Sequence, residues 1–467
     1  MTPEIPKIHE SRPRSQDYTV TVNGEEVPVL ETRVGAVAGF AFEGSVEVLI
    51  RPTRTVKDVV VRPLARGLVA NPVDGSFRLQ LDRPGNFSIE FDGETNRPLF
   101  LFASPQRADC PDPFDPGVIT LEAGRVHRFD ELQLTSGQTL YFEPGAVLEA
   151  PIRATDAENI RILGAGIIDA RYRTETKLDA LKFVRCQNIF MQDVHILDSY
   201  GWTLHLQLCE GVLLDNIRQT CWRANCDGVD INASRHVRVR DSFLYNTDDC
   251  VAIKVCEKSA TLNPEAKVED VEVSGCVMWN GAGGNGMEIG FELNGASVSG
   301  ITFRDCDIIR VTKGACLSIH VGDTATISGV LFEDIRVEDA LDELIDFTIG
   351  LSIYSVDCPE PYQRRHGFNV PPELQDHETN DNWLQWIVLP EPGRSAHSVG
   401  RGRIEDITVR GLHVHGSEIP PSLFKGYDED KAIRRIRIEN LTLNGHPIRS
   451  PEEARFVLRH AHDIEFV

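Results

Sequence analysis

Two short acidic stretches carry the residues best suited to chemistry. NCDGVD runs from Asn225 to Asp230, and NTDDCVAIK runs from Asn246 to Lys254. Asp227 and Asp248 lie 21 residues apart, and Asp249 adjoins the second of them. Like charges held close together raise the pKa of one carboxyl group. A carboxyl that keeps its proton near neutrality can act as a general acid. Carboxyls gathered at one groove at glycosidase-like separation make Asp227, Asp248 and Asp249 the candidate catalytic residues. Neighbours on a regular strand point to opposite faces. Asp248 and Asp249 therefore share a groove only where a strand ends or bends. Asp230 reads as an Asx-turn residue bonded to nearby backbone amides.

The surrounding chain repeats itself. Alternating segments open at Asn159, Asn188, Gly211, His236, Asp270, Gly300 and Gly329, and after a gap at Asp406, Arg435 and Asp463. Within each run the steps are 23 to 34 residues. Period-two alternation buries one face of a strand and wets the other. A second short strand follows most segments, as in Val194-His195-Ile196-Leu197, and no helical period lies between them. Short strands at a steady period predict a solenoid, here a right-handed parallel β-helix. A β-propeller would need blades of about 40–45 residues. Residues one turn apart sit on neighbouring rungs, which brings Asp227 and Asp248 to one groove. Asn159 and Asn188 read as turn residues that tolerate left-handed geometry.

Residues 1–110 differ. TVTVNG, VEVLIRP, VKDVVVRPL, SFRLQL and FSIEFDG are short alternating strands punctuated by Asn-Gly, Asp-Gly and Pro-Gly turns. They predict an antiparallel β-sandwich placed to cap the open end of the solenoid. Residues 111–117 form the linker, and 118–467 form the β-helix. Its regularity breaks at 340–400, which carries Tyr354, Tyr362, Trp383 and Trp386. An excursion of that length is either functional, with Trp383 as its candidate sugar contact, or a peripheral loop and homo-oligomer contact.

Composition narrows the partners. The formal net charge is −23, which excludes nucleic acid and anionic membranes and weighs against an acidic polymer. No apolar run reaches the roughly 20 residues of a membrane span, and no apolar leader opens the chain, so a cytoplasmic location is expected. The 11 cysteines form no CxxC pair, and several lie in apolar strands. They read as reduced core thiols. The residues call for no cofactor and no metal ion.

At this point the motifs resemble glycoside hydrolase family 28, the polygalacturonases. That family's pattern is N-T-D-G-x-D, D-D-C-[IV]-A-[IV], G-H-G-x-S-I-G and R-x-K. The first two correspond to Asn225-Cys226-Asp227-Gly228-Val229-Asp230 and Asp248-Asp249-Cys250-Val251-Ala252-Ile253. The third corresponds to Gly284-Asn285-Gly286-Met287-Glu288-Ile289-Gly290. The resemblance spans about residues 118–340, and the sandwich-plus-helix layout resembles glycoside hydrolase family 49, the dextranases and isopullulanases. It implies Asp248 as general acid, Asp227 and Asp249 as holders of the attacking water, and inversion at the anomeric carbon. Three departures matter. Asn285 replaces the family's histidine, and Ser318 and His320 fall where R-x-K holds a galacturonate carboxylate. Those changes, with Glu288 as a further carboxylate, imply a neutral oligosaccharide or polysaccharide as the glycan substrate. Trp202 and His205, one turn before Asp227, are candidates for stacking on a sugar and bonding a hydroxyl. Asn285, Glu288 and His320 complete the candidate substrate contacts.

Other accounts keep the fold. One is a polygalacturonase-like hydrolase of acidic pectin. A second is a lyase or fructan transferase, for which the spacing places no Arg or Lys against the acids. A third is a carbohydrate-binding β-helix without turnover.

Overall fold

A computed structural model describes residues 2–108, 110–172, 178–364, 370–375, 386–389 and 396–467. Two five-stranded sheets come first. One orders Glu25–Val27, Tyr18–Val22, Val46–Pro52, Ser76–Leu81 and Asn71–Val73, all antiparallel. The other orders Val29–Glu31, Ala36–Phe42, Glu94–Pro105, Gly85–Phe91 and Val59–Arg62. Alternation decides their faces: in Val46–Pro52, Val46, Val48 and Ile50 are buried and Glu47 and Arg51 exposed. Val20, Ile50, Leu79, Ile89 and Leu101 fill the space between the sheets. One pairing departs from the antiparallel expectation, because Ala36–Phe42 runs parallel to Glu94–Pro105. Both strands are buried on two faces, where parallel pairs occur.

The rest is a parallel β-helix with three strands per rung. Two of them merge into a 21-stranded sheet, and the third builds an 11-stranded sheet. The predicted ladder is in register: Val212, Val237, Val271, Ile301, Val330, Ile407, Ile436 and Ile464 stack on successive rungs. All are inward, and burying each such side chain contributes about 1.5–3 kcal/mol. Every residue that opens a repeat has a left-handed backbone, from Asn159 at φ 58° to Asp463 at φ 56°. Asn, Asp and Gly tolerate that conformation best. Asn188 also donates from Nδ2 to Asn159 Oδ1 at 3.1 Å. All 11 cysteines are free thiols; nine are buried, Cys256 is half-buried and Cys110 exposed.

The sandwich does not cap the solenoid's end. It lies along the side, where Leu30, Val34, Val37, Phe100 and Phe102 pack on Val147, Leu197, Phe243, Trp279 and Ile309. Polar contacts fix the register between the two. Arg218 donates to Asn86 Oδ1 at 2.9 Å and to Ser104 Oγ at 2.7 Å, and Arg310 pairs with Glu90 at 3.3 Å. The physical reason is the outer face of one solenoid sheet, which is apolar on rung after rung and needs a cover.

The excursion after Glu343–Ile349 folds back on the solenoid. Leu351, Ile353, Cys358, Val370 and Ile387 form a small core of their own. Buried Arg401 ties its base together through Gly350 O at 3.0 Å, Ser355 Oγ at 2.9 Å and the Asp357 carboxylate.

Candidate active site

The site lies at one corner of the solenoid, where the chain enters the strands of the 11-stranded sheet. Leu204, Val229, Val251, Met287 and Leu317 are aligned on successive rungs. Two residues before each of them stand Trp202, Asp227, Asp249, Asn285 and Ala315. Backbone bonds lock this column: Thr203 N to Asp227 O at 2.8 Å, Gly228 N to Asp249 O at 2.8 Å, and Cys250 N to Asn285 O at 3.0 Å. Asp249, rather than Asp248, is thus the rung neighbour of Asp227. Asp248 stands one position earlier in the turn between Phe243–Asn246 and Val251–Val255, and both acids line the cleft. The strand ends there, which meets the condition that adjacent acids need in order to share a groove. Gly284, at φ 72°, crosses directly over them. A Cβ there would lie 2.4 Å from Asp249 N.

The cleft is open to solvent on one side and holds about 670 Å³ of space, part of it continuous with solvent. Trp202, Asp227, Asp248, Asp249, Asn285 and His320 line it as expected. His205 and Glu288 stand behind the lining. His205 is buried between Asp179 Oδ2 at 3.1 Å and Asn232 Nδ2 at 3.2 Å, so its ring nitrogens are already engaged. Glu288 is buried and holds His320 Nδ1 at 3.0 Å. Trp383 lies outside the described residues.

Asn285 does specific work. Its backbone N–H and its Nδ2 both donate to Asp249 Oδ1, at 2.7 and 3.1 Å, while its Oδ1 accepts from Ala315 N at 2.9 Å. It fixes the Asp249 carboxylate and the next rung at once.

Lys254 corrects the expectation that no cation faces the acids. Its ammonium lies 3.2 Å from Asp227 Oδ2 and 3.1 Å from Asp230 Oδ1, and 4.2 Å from the centre of the Trp202 ring. Asp230 is corrected with it. It sits fully buried inside the strand Val229–Asn232 and holds Lys254, rather than forming an Asx-turn. The signal was present in NTDDCVAIK. On Val251–Val255, alternation puts Ala252 and Lys254 on one face, and small Ala252 stands beside Asp230 on the adjacent rung.

The electrostatics follow from burial. Desolvation and then Asp227 push Asp248 up to about 7, against the pull of Lys254 and Arg364. Asp249 is driven well above the ordinary range by burial, then by Glu288 and Asp248. Burial also raises Asp227, while Lys254 opposes the rise. Burial would lower Lys254, but Asp230, Asp227 and Glu292 outweigh it and keep the ammonium charged. The three acids titrate as a coupled group with fewer charges than carboxyls. Asp227 has the only directly paired carboxylate of the three, and its Oδ1 makes no hydrogen bond within the described protein.

The far wall was not legible as a site. Phe291, Glu292, Glu343, Asp346, Tyr354, Arg364 and Trp386 all line the cleft. Of these, Tyr354 and Trp386 belong to the excursion singled out for its aromatics, and Arg364 comes with them. Arg364 donates to Asn225 Oδ1 at 2.9 Å and lies over the Tyr354 ring at 5.0 Å. His320 sits between Glu288 and Asp346, each at 3.0 Å, and stacks on Phe291 at 4.5 Å. Burial would lower its pKa, but the two carboxylates raise it well above the ordinary value. Glu288 and Ser318 are register partners, which places Ser318 and His320 on the rung after Asn285.

A model of the glycosyl hydrolases family 28 matches residues 164–346. The chain resembles glycoside hydrolase family 28. The matched span takes in the cleft from Trp202 to Asp346 and leaves out Tyr354, Arg364 and Trp386. A probable polygalacturonase of Arabidopsis thaliana is 25% identical over 198 residues, 41% of this chain and 41% of its own length. Probable endopolygalacturonase E of Aspergillus niger is 32% identical over 122 residues, 26% of this chain and 28% of its own length. The chain thus spans well under half of these curated relatives. Among solved structures, Dex49A from Penicillium minioluteum matches with a TM-score of 0.62 at 13% identity, covering 99% of this chain and 96% of its own. A hyperthermoactive exopolygalacturonase from Thermotoga maritima matches with a TM-score of 0.51 at 15% identity, over 70% of this chain and 78% of its own. The layout of sandwich and solenoid together is therefore the one resembling family 49.

Proposed function

We propose that this chain is an inverting glycoside hydrolase of the polygalacturonase type. One observation carries the reading: three carboxyls meet in one cleft, and one of them, Asp248, has its pKa near 7. Asp248 protonates the leaving glycosidic oxygen. Asp227, paired with Lys254, and Asp249, fixed by Asn285, hold the attacking water and take its proton. Inversion needs acid and base on opposite sides of the sugar with room for that water. Asn285, Lys254 and Glu288 are positioning residues. Trp202, Phe291, Tyr354 and Trp386 supply aromatic walls for sugar rings.

The relatives favour an acidic galacturonate over the neutral glycan that Ser318 and His320 suggested. Arg364 offers a guanidinium for a substrate carboxylate from outside the family's R-x-K position. The neutral reading keeps one supporting observation. The His320 ring already faces Glu288 and Asp346 at 3.0 Å each, so any charge it carries is met within the protein. Incubation with polygalacturonate and with neutral glucans, read as new reducing ends, separates the two. Cleavage of polygalacturonate is expected. Cleavage of neutral glucan alone would favour the second reading, and a product absorbing as an unsaturated uronide would overturn hydrolysis.

A further inference from the structure

We propose that Trp222 and Arg33 form a distal subsite for an anionic sugar, to which the N-terminal sandwich contributes. The proposal rests on the glycan-cleaving reading of the neighbouring cleft.

Trp222 and Asp227 belong to one loop, between the strands Arg218–Thr220 and Val229–Asn232. Three residues after Trp222, Asn225 already lines the catalytic cleft. Yet the Trp222 side chain turns away from the core and is 38% exposed. A large exposed aromatic beside a sugar-binding cleft has an apolar face to offer.

The sandwich reaches this tryptophan through the turn that joins Val29–Glu31 to Ala36–Phe42. The turn is rigid. Thr32 N and Thr32 Oγ1 both donate to Gly35 O, at 2.9 and 2.7 Å, and Val34 is buried against the solenoid. Its tip presents Arg33, whose guanidinium carbon lies 4.5 Å from the centre of the Trp222 ring. Arg33 is exposed and makes no ion pair among the described residues. Beside it, the Arg223 guanidinium lies 4.2 Å over the Tyr200 ring, and Tyr200 precedes Trp202 of the cleft by two residues. Two arginine–aromatic pairs thus stand on the corner that carries the acids.

Arg33 and Trp222 open onto a shallow, solvent-open groove lined by the sandwich, with Trp222 as the solenoid's contribution. Of the two carboxylates that line it, Asp17 is taken up by Arg97 at 3.1 Å. The other, Glu31, is exposed to solvent. Arg33 also acts on the buried Asp198 carboxylate without pairing directly with it. In a chain of net charge −23, an exposed arginine with no direct ion pair among the described residues marks a place for a foreign anion. A guanidinium beside an aromatic ring still has N–H donors to offer a carboxylate. A uronate residue supplies both partners, a carboxylate for Arg33 and a ring face for Trp222. The occupant is the far part of a substrate whose scissile bond lies at Asp248, which makes this a length-sensing subsite.

Equilibrium binding to Asp248→Asn, which does not require turnover, tests it with oligogalacturonides of two to eight units. Adding Arg33→Ala or Trp222→Ala is expected to weaken binding of the longest oligomers about tenfold and leave the shortest unchanged. Arg33→Gln serves as a second probe should the alanine variant fail to fold. Unchanged affinity for long oligomers, or an equal loss for long and short ones, overturns the subsite. A loss with Trp222→Ala but none with Arg33→Ala or Arg33→Gln overturns its anionic class. Length-dependent binding by a protein that cleaves no glycan keeps the subsite and rejects the hydrolase reading instead.

Discussion

Asp248→Asn is expected to lower kcat by about 10²–10⁴-fold, the usual loss when a positioned general acid is removed. The carboxamide keeps the shape and cannot deliver a proton. The fold should survive, because the change removes one of three crowded acids and breaks no ion pair. Circular dichroism and the thermal midpoint therefore stay at wild-type values or rise slightly. The pH profile of the unaltered protein gives the sign. Asp248 works protonated and is pushed up to about 7, so kcat/KM falls as pH rises through about 7. The acid limb belongs to the base. Burial raises Asp227, so that limb lies above the ordinary aspartate range. Full activity of Asp248→Asn would remove Asp248 from the mechanism.

Lys254→Met should cost more in stability than in contact area. The methionine fills similar space, but two buried carboxylates lose the cation that pairs with them among the described residues. Removing one partner of a buried ion pair costs about 3–5 kcal/mol. Asp227 and Asp230 are already raised by burial, and losing Lys254 raises them further. A group with a raised folded-state pKa contributes stability below its unfolded pKa of about 3.9 and loses it as pH rises through the folded value. The destabilisation should therefore be small near pH 4 and full above neutrality. Thermal midpoints across that range check the sign, and the acid limb of activity should move to higher pH. A uniform loss at every pH would mean that Lys254 acts by packing alone.

These effects depend on residues that differ in how far the sequence disclosed them. The ladder was legible because inward Val and Ile recur at a fixed offset from a left-handed Asn, Asp or Gly. The meeting of the three aspartates in one cleft was legible because clustered acids in an apolar run demand a reason. Lys254 was not, because its meaning depends on rung register, and the steps between rungs vary in length. Only the aligned strands show that Asp230, Ala252 and Glu288 are neighbours on adjacent rungs. Tyr354, Arg364 and Trp386 were hidden differently. They lie more than a hundred residues beyond the aspartates and reach the cleft through a loop with its own small core. The sandwich was foreseen as strands but misplaced, since nothing in a strand's alternation says which outer face of a solenoid it will cover. Substrate class was the least legible. Ser318 and His320 pointed to a neutral sugar, whereas curated relatives are named as probable polygalacturonases, and Arg364 lines the cleft as a cation that no local motif announced.

On the proposed reading, three aspartates of this cleft hydrolyse a glycosidic bond with inversion at the anomeric carbon. Proton NMR of the first products released from an oligogalacturonide of known anomeric configuration reads the outcome. The new reducing end should appear first in the opposite anomeric form and only later equilibrate. A reducing end that appears with the substrate's own configuration would contradict it, because retention requires a carboxylate to attack carbon rather than hold water.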